Sequence, residues 1–132
     1  MTSQLNRSET VADTTQVLSR QCAAIVWRTF AQSRLSEAAA HSEVPVINAL
    51  TDSFHPCQAL ADLLTVTEYF GELSGKTFTF LGDAASNMAH SYALGVATAG
   101  AHLRLCGPTG YHSDPVVLSQ AQALAATTGV VR

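Results

Sequence analysis

An imidazole, a thiol and a carboxamide fall within four residues at His55-Pro56-Cys57-Gln58. Pro56 biases His55 away from helical dihedrals and suits the first position of a helix, where its missing N–H costs nothing. The run reads as a helix start, with His55 as the cap residue and Gln58 in the first turn. Free main-chain N–H groups and the helix dipole favour an anion there. A titratable ring and an amide around such a place suit a small ligand with both a carbonyl and a phosphate. Arg28 ends a short apolar run and needs a partner. One reading is a salt bridge to Glu37, Glu43 or Asp52; the other is a charge-assisted fork onto phosphate oxygens, roughly 1.5–3 kcal/mol per bond.

Taken singly, these residues also have plain structural readings. His55 can be a capping or core-edge histidine, and Gln58 an ordinary helix residue. Cys57 can be a packed small thiol, since no basic partner lies beside it. Ser53, Ser86 and Ser91 lack a Gly-x-Ser-x-Gly elbow. Asp83 and Asn87 follow a strand where a dinucleotide fold carries its glycine fingerprint, but only Gly82 of that pattern is there. His41, His90, His102 and His112 show no metal-ligand spacing and read as structural or solvated.

The elements that must position these groups alternate. Spacing of Val11, Leu18, Cys22 and Ile25 predicts a helix from Ser8 to Ala24, started by Ser8 and Glu9. Ala24 to Trp27 reads as a buried strand, Leu35 to His41 as a helix and Val44 to Leu50 as a second strand. A helix from Pro56 to about Phe70 follows, and then a turn-rich break between Gly71 and Gly75. Thr77 to Leu81 is a strand, Gly82 to Ser86 a loop, Asn87 to about Thr98 a helix and Ala101 to Cys106 a strand. Asp114 before Pro115 is a cap-then-proline start for a last helix running to Gly129. Strands alternating with helices imply an α/β fold, a parallel sheet with helices on its faces. In such sheets ligands gather beyond the carboxyl ends of strands. Arg28, Asn48 to Asp52, His55 and Gly82 to Asn87 all lie just there.

Bulk composition narrows the function. The 132 residues suffice for one ordinary domain or two incomplete ones. Charged residues are 13%, about half the usual share, so surfaces covered by other segments or subunits are expected. A net charge of −3, a single lysine (Lys76) and scattered arginines argue against nucleic acid. No apolar stretch approaches a membrane span, and the first residues lack a signal-peptide core. Three widely spaced cysteines, Cys22, Cys57 and Cys106, suggest neither a disulfide set nor zinc. A cytoplasmic, reduced protein is the expectation.

Three stretches carry a resemblance. Residues 48–65, Asn-Ala-Leu-Thr-Asp-Ser-Phe-His-Pro-Cys-Gln-Ala-Leu-Ala-Asp-Leu-Leu-Thr, resemble the central segment of ornithine carbamoyltransferases. So do Gly82 to Ser91 and, upstream, Asp13 to Arg20. The likeness runs in order along almost the whole chain. Aspartate carbamoyltransferases share the His-Pro-x-Gln run, but typically follow it with Leu-Leu-Asp rather than Leu60-Ala61-Asp62, and lack the Asn87-Met88 pair. The resemblance implies that Arg28 contacts carbamoyl phosphate, His55 its carbamoyl oxygen and Gln58 its amide, with Pro56 and Cys57 in the same turn. Gln4 would reach carbamoyl phosphate in a neighbouring subunit of a trimer or multiple of one, although Asn6-Arg7-Ser8 replaces the glycine-rich residues common there. Asn87 would grip the backbone end of L-ornithine.

The implied reaction is carbamoyl transfer to the δ-amine of ornithine, giving citrulline and phosphate in arginine metabolism, with no cofactor or metal. Residues 1–70 would then be the end of a carbamoyl phosphate domain with its linking helix, and 71–132 the start of an ornithine domain. Family members are well over twice as long. They add a Ser-Thr-Arg-Thr-type phosphate loop before the matching segment, and Ser-Met-Gly and His-Cys-Leu-Pro segments after it. The expectation is an internal piece, inactive by itself. Against this stand a non-catalytic remnant or subunit-binding module, and a small nucleotide-binding domain that the Gly82 loop does not encourage.

Overall fold

A computed structural model describes residues 9–128, which fall by their internal contacts into two compact units divided between Asp52 and Ser53. In the first unit, α1 (Val11–Ser19), β1 (Ile25–Arg28), α2 (Gln32–His41) and β2 (Val46–Leu50) follow one another. β1 and β2 pair in parallel with Ile25 opposite Val46 and Trp27 opposite Asn48, and the register shifts at Arg28, which faces Leu50. Parallel partners need a crossover, and α2 supplies it, burying Leu35 and Ala38. The Arg34 guanidinium lies 5.4 Å from the Trp27 ring centre.

Helix α1 is shorter than its apolar spacing predicts, and its start is different. Thr10, not Glu9, is the cap: its Oγ1 accepts from the Asp13 N–H at 3.1 Å and donates to Asp13 Oδ2 at 2.7 Å, while Ser8 lies outside the described residues. The helix stops at Ser19 because the N–H groups of Arg20, Gln21 and Cys22 turn back onto the carbonyls of Val17 and Leu18. Helix α2 starts three residues ahead of Leu35, at Gln32, without a side-chain cap bond.

The second unit holds α3 (Pro56–Phe70), β3 (Thr77–Leu81), α4 (Asn87–Thr98), β4 (His102–Cys106) and α5 (Pro115–Thr128). β3 and β4 pair in parallel without a shift, from Thr77 opposite His102 to Leu81 opposite Cys106. Alternation along β3 turns Phe78 and Phe80 inward. Small residues on α4 let its neighbours approach closely. Ala93 and Ala97 pack with Val117 and Ala121 of α5, while the fully buried Val96 packs with Leu63 of α3 and Ala101. A Cβ on Gly95 would sit 3.4 Å from Leu63 Cδ1, so α3 crosses α4 at van der Waals distance. Ser86 Oγ caps α4 by accepting from the Ala89 N–H, and Asp114 Oδ1 accepts from the Val116 N–H, as the aspartate–proline start of α5 predicts.

Each unit is thus α/β, a parallel strand pair with flanking helices. Sequence spacing puts the break at Gly71 to Gly75 and makes α3 the connector. By packing, α3 lies with the second unit, because Leu63 is buried against Val96 and Ala101.

Candidate functional site

The turn that leads into α3 is tied to the start of α4 by one hydroxyl. His55 is the residue before Pro56, with φ −134° and ψ 68°, outside the helical region as a residue preceding proline must be. Its main-chain N–H donates to Ser91 Oγ at 2.7 Å, and Ser91 Oγ donates to the Asn87 carbonyl at 2.6 Å. Ser91 is buried, so His55 and Asn87, 32 positions apart by numbering, are held through one oxygen. His90 makes a second tie: the Asp114 N–H donates to its Nε2 at 3.4 Å, and its Nδ1 lies 3.3 Å from the Ser53 carbonyl. With Nε2 accepting, Nδ1 must carry the proton and donate, so the surroundings select one neutral tautomer.

His55 occupies the cap position, yet its side chain makes no cap bond to α3. The ring is half-buried, and Nδ1 is out of solvent with no hydrogen-bond partner among the described residues. A polar nitrogen left so costs about 1–3 kcal/mol, and such groups call for an explanation. Pro56 is at the first helical position, and Cys57 and Gln58 form the exposed first turn. The Cys57 thiol is exposed and outside any disulfide, not packed as its lack of a basic neighbour suggested; a side chain on the outer face of a first turn has no core to enter.

Gln58 points along its own helix. Its Nε2 donates to Asp62 Oδ1 at 3.0 Å, and the other Asp62 oxygen accepts a short hydrogen bond from the Tyr92 hydroxyl. The Tyr92 phenol is pushed up to about 12, first by burial and then by the hydrogen bond to Asp62 and that residue's negative charge. Asn87 is half-buried at the first position of α4, directly after the cap residue Ser86. Both helix starts therefore carry a polar side chain in their first turn.

Arg28 belongs to the first unit, exposed at the last position of β1. Among the described residues it forms no ion pair, so the salt bridges to Glu37, Glu43 or Asp52 that its position allowed are not made. The loops beyond β1 and β2 are locked. The Thr29 N–H donates to the Leu50 carbonyl at 3.0 Å, the Asp52 N–H to the Phe30 carbonyl at 2.8 Å, and the fully buried Thr51 to Gln32 Oε1 at 2.7 Å. Gln4 lies outside the described residues.

The structure thus joins His55 to Asn87 within one unit, sets Gln58 one turn along the same helix start, and places Arg28 in the other unit. Composition and motif reading passed over Ser91, Asp62 and Tyr92. The i,i+4 spacings of Asn87 to Ser91 and Gln58 to Asp62 were visible; the reach from Asp62 to Tyr92 left no local trace. A groove of about 250 Å³ lined by Ala93, Ala97, Leu103 and Ala121 contains none of these residues. Among the described residues no cluster of three or more His, Cys, Asp or Glu side chains could hold a metal ion.

Two descriptions of known protein domains match this chain. Residues 1–68 match the aspartate/ornithine carbamoyltransferase carbamoyl-P binding domain, and residues 74–131 match the Asp/Orn binding domain of the same enzymes. An ornithine carbamoyltransferase of Clavibacter sepedonicus is 61% identical over 127 residues, covering 96% of this chain and 41% of that protein. That of Mycobacterium leprae is 52% identical over 129 residues, covering 98% and 42%. Among solved structures, the ornithine carbamoyltransferase of Pyrococcus furiosus superposes with a TM-score of 0.89 at 41% identity, over 96% of this chain and 40% of that one. The Gloeobacter violaceus enzyme gives 0.85 at 46% identity, over 92% and 42%. The chain spans about two fifths of the length of these relatives.

Proposed function

The chain belongs to the aspartate/ornithine carbamoyltransferase family, and from that premise we propose that it carries part of a site for carbamoyl transfer from carbamoyl phosphate to the δ-amine of L-ornithine. The amine attacks the carbonyl carbon, a tetrahedral oxyanion forms, and the C–O bond to phosphate breaks. The nitrogen loses a proton, leaving citrulline and inorganic phosphate. Positioning and preorganised charge suffice for this chemistry. Arg28, and Pro56 and Cys57 at the start of α3, are assigned to the phosphate. His55 faces the developing oxyanion, and Gln58 holds the carbamoyl amide. Asn87 takes the backbone end of ornithine, since a neutral amide both donates to a carboxylate and accepts from an ammonium. Gln4 serves the carbamoyl phosphate of an adjoining subunit in a trimer of the whole enzyme. Residues 1–70 make up the carbamoyl phosphate side and 71–132 the ornithine side, a cytoplasmic activity of arginine metabolism.

The observation that carries this reading is the Ser91 hydroxyl shared by His55 and Asn87. It sets the residue assigned to the carbamoyl oxygen beside the residue assigned to the amine substrate, as transfer between two bound molecules requires. The orphaned Nδ1 of His55 adds support, because a structural histidine would be paired. The test is to substitute these 132 residues for the matching segment of the Clavibacter sepedonicus relative and assay citrulline formation. Turnover that collapses in His55→Ala and Asn87→Ala supports the assignment, whereas unimpaired turnover in both variants removes it.

A further inference from the structure

Gln58 looks at first like a surface glutamine in an ordinary i,i+4 pair, worth a few tenths of a kcal/mol. Its partner is not ordinary. Asp62 gives one carboxylate oxygen to Gln58 Nε2 and the other to the Tyr92 hydroxyl, so donors on α3 and α4 fix the carboxylate from two sides. Tyr92 is itself held. Its ring packs against Phe80 of β3 at 5.7 Å between centres, and it borders the buried cluster of Leu63, Val96 and Ala101. A carboxylate has no proton to give, so only the nitrogen end of the Gln58 amide can face it. The oxygen end is thereby turned away from Asp62.

We propose that Asp62 and Tyr92 are positioning residues that lock the Gln58 carboxamide with its oxygen free at the start of α3, making that subsite select an amino group over a methyl group on an acyl phosphate. This rests on the carbamoyl phosphate reading above and adds the device that gives the subsite its polarity. A free amide could turn over, so part of the hydrogen bond to a ligand would go into fixing its orientation, and it would discriminate less. Held by Asp62, it offers an acceptor, which the NH2 of a carbamoyl group satisfies and the CH3 of an acetyl group cannot. A polar group left unpaired in the second case is the source of discrimination.

Two measurements separate the lock, read on the 132-residue chain, from the ligand, read on the chimera with the Clavibacter sepedonicus relative described above. The first is NMR of the Gln58 side-chain amide. One hydrogen bonded to the carboxylate should be shifted and slowed in exchange in the wild type, and this signature should vanish in Asp62→Asn and weaken in Tyr92→Phe. The asparagine is isosteric and can donate to the glutamine oxygen, so the amide becomes free to turn. An unshifted, fast-exchanging wild-type amide overturns the lock, and this arm needs neither a ligand nor a variant that folds.

The second is calorimetric binding of inorganic phosphate, carbamoyl phosphate and acetyl phosphate to that chimera. The expected preference for carbamoyl over acetyl phosphate is about 5- to 10-fold, the worth of one neutral hydrogen bond. It should shrink in Asp62→Asn while phosphate binding stays. A preference unchanged in Asp62→Asn overturns the proposal, as does a wild type that binds both acyl phosphates equally. Failure to bind any of the three, with the amide signature intact, overturns the carbamoyl phosphate reading and the selection that rests on it, leaving the lock as a structural device.

Discussion

Ser91 has one hydroxyl and uses it twice, accepting from His55 and donating to Asn87. Ser91→Ala leaves the His55 N–H without its partner, which should cost about 1–3 kcal/mol by urea denaturation, well above an exposed serine change. Tyr92 gives a pH prediction. Its folded value is raised from 10.0 to about 12, by burial first and Asp62 second, so the folded chain keeps a proton that the unfolded chain releases. The stabilisation is therefore complete below 10.0 and is lost as pH climbs toward about 12. Denaturation at a series of alkaline pH values should show that decline, and Tyr92→Phe should lack it. At this scale the sequence was half legible. His55, Gln58 and Asn87 could be picked out because proline, strand ends and helix starts mark them locally. Asp62 and Tyr92 could not be paired, since 30 positions of chain lie between them and only packing of α3 on α4 brings them together.

Gly107 shows what the elements demand of their connections. A Cβ there would lie 2.7 Å from the Tyr111 carbonyl oxygen and 2.8 Å from that of Gly82, both main chain and unable to swing aside. The loops after β3 and β4 thus pass with no room for a side chain. Gly107→Ala should lower stability by about 1–3 kcal/mol, read as a lower melting temperature and loss of the Gly82 to Cys106 hydrogen bond in amide exchange. Element types and order were largely legible: α3, β3 and α4 have the bounds that proline, glycine and alternation predict. Helix α1 was overextended because Cys22 and Ile25 continue its apolar spacing. Main-chain turns onto Leu18 end the helix first, and spacing alone does not report them.

Taken whole, the molecule pairs a low charge content with large exposed apolar side chains. Charged residues are 13%, while Leu60, Phe70 and Leu81 are 64%, 62% and 76% exposed. Each described sheet has two parallel strands, and parallel sheets are ordinarily covered on both faces. These surfaces fit a chain spanning about two fifths of its relatives' length. We expect the 132 residues alone to form no citrulline above background in a coupled assay, because they span about two fifths of the length of the ornithine carbamoyltransferases they match. Mixed with a full-length ornithine carbamoyltransferase, the chain should co-elute with it if it serves as a subunit-binding module; aggregation without co-elution would mark a remnant. Composition already indicated a low charge content, whereas which apolar side chains are exposed required the fold.

The bond from His55 to Ser91 also makes a gauge. Most amide protons in helices and strands are shielded by their own element, but this one is shielded by a side chain from another helix. Its exchange with deuterated water therefore times the undocking of α4 from the turn before α3, and nothing else in that turn. A ligand that clamps the two helix starts together should lengthen that clock before any change in melting is seen.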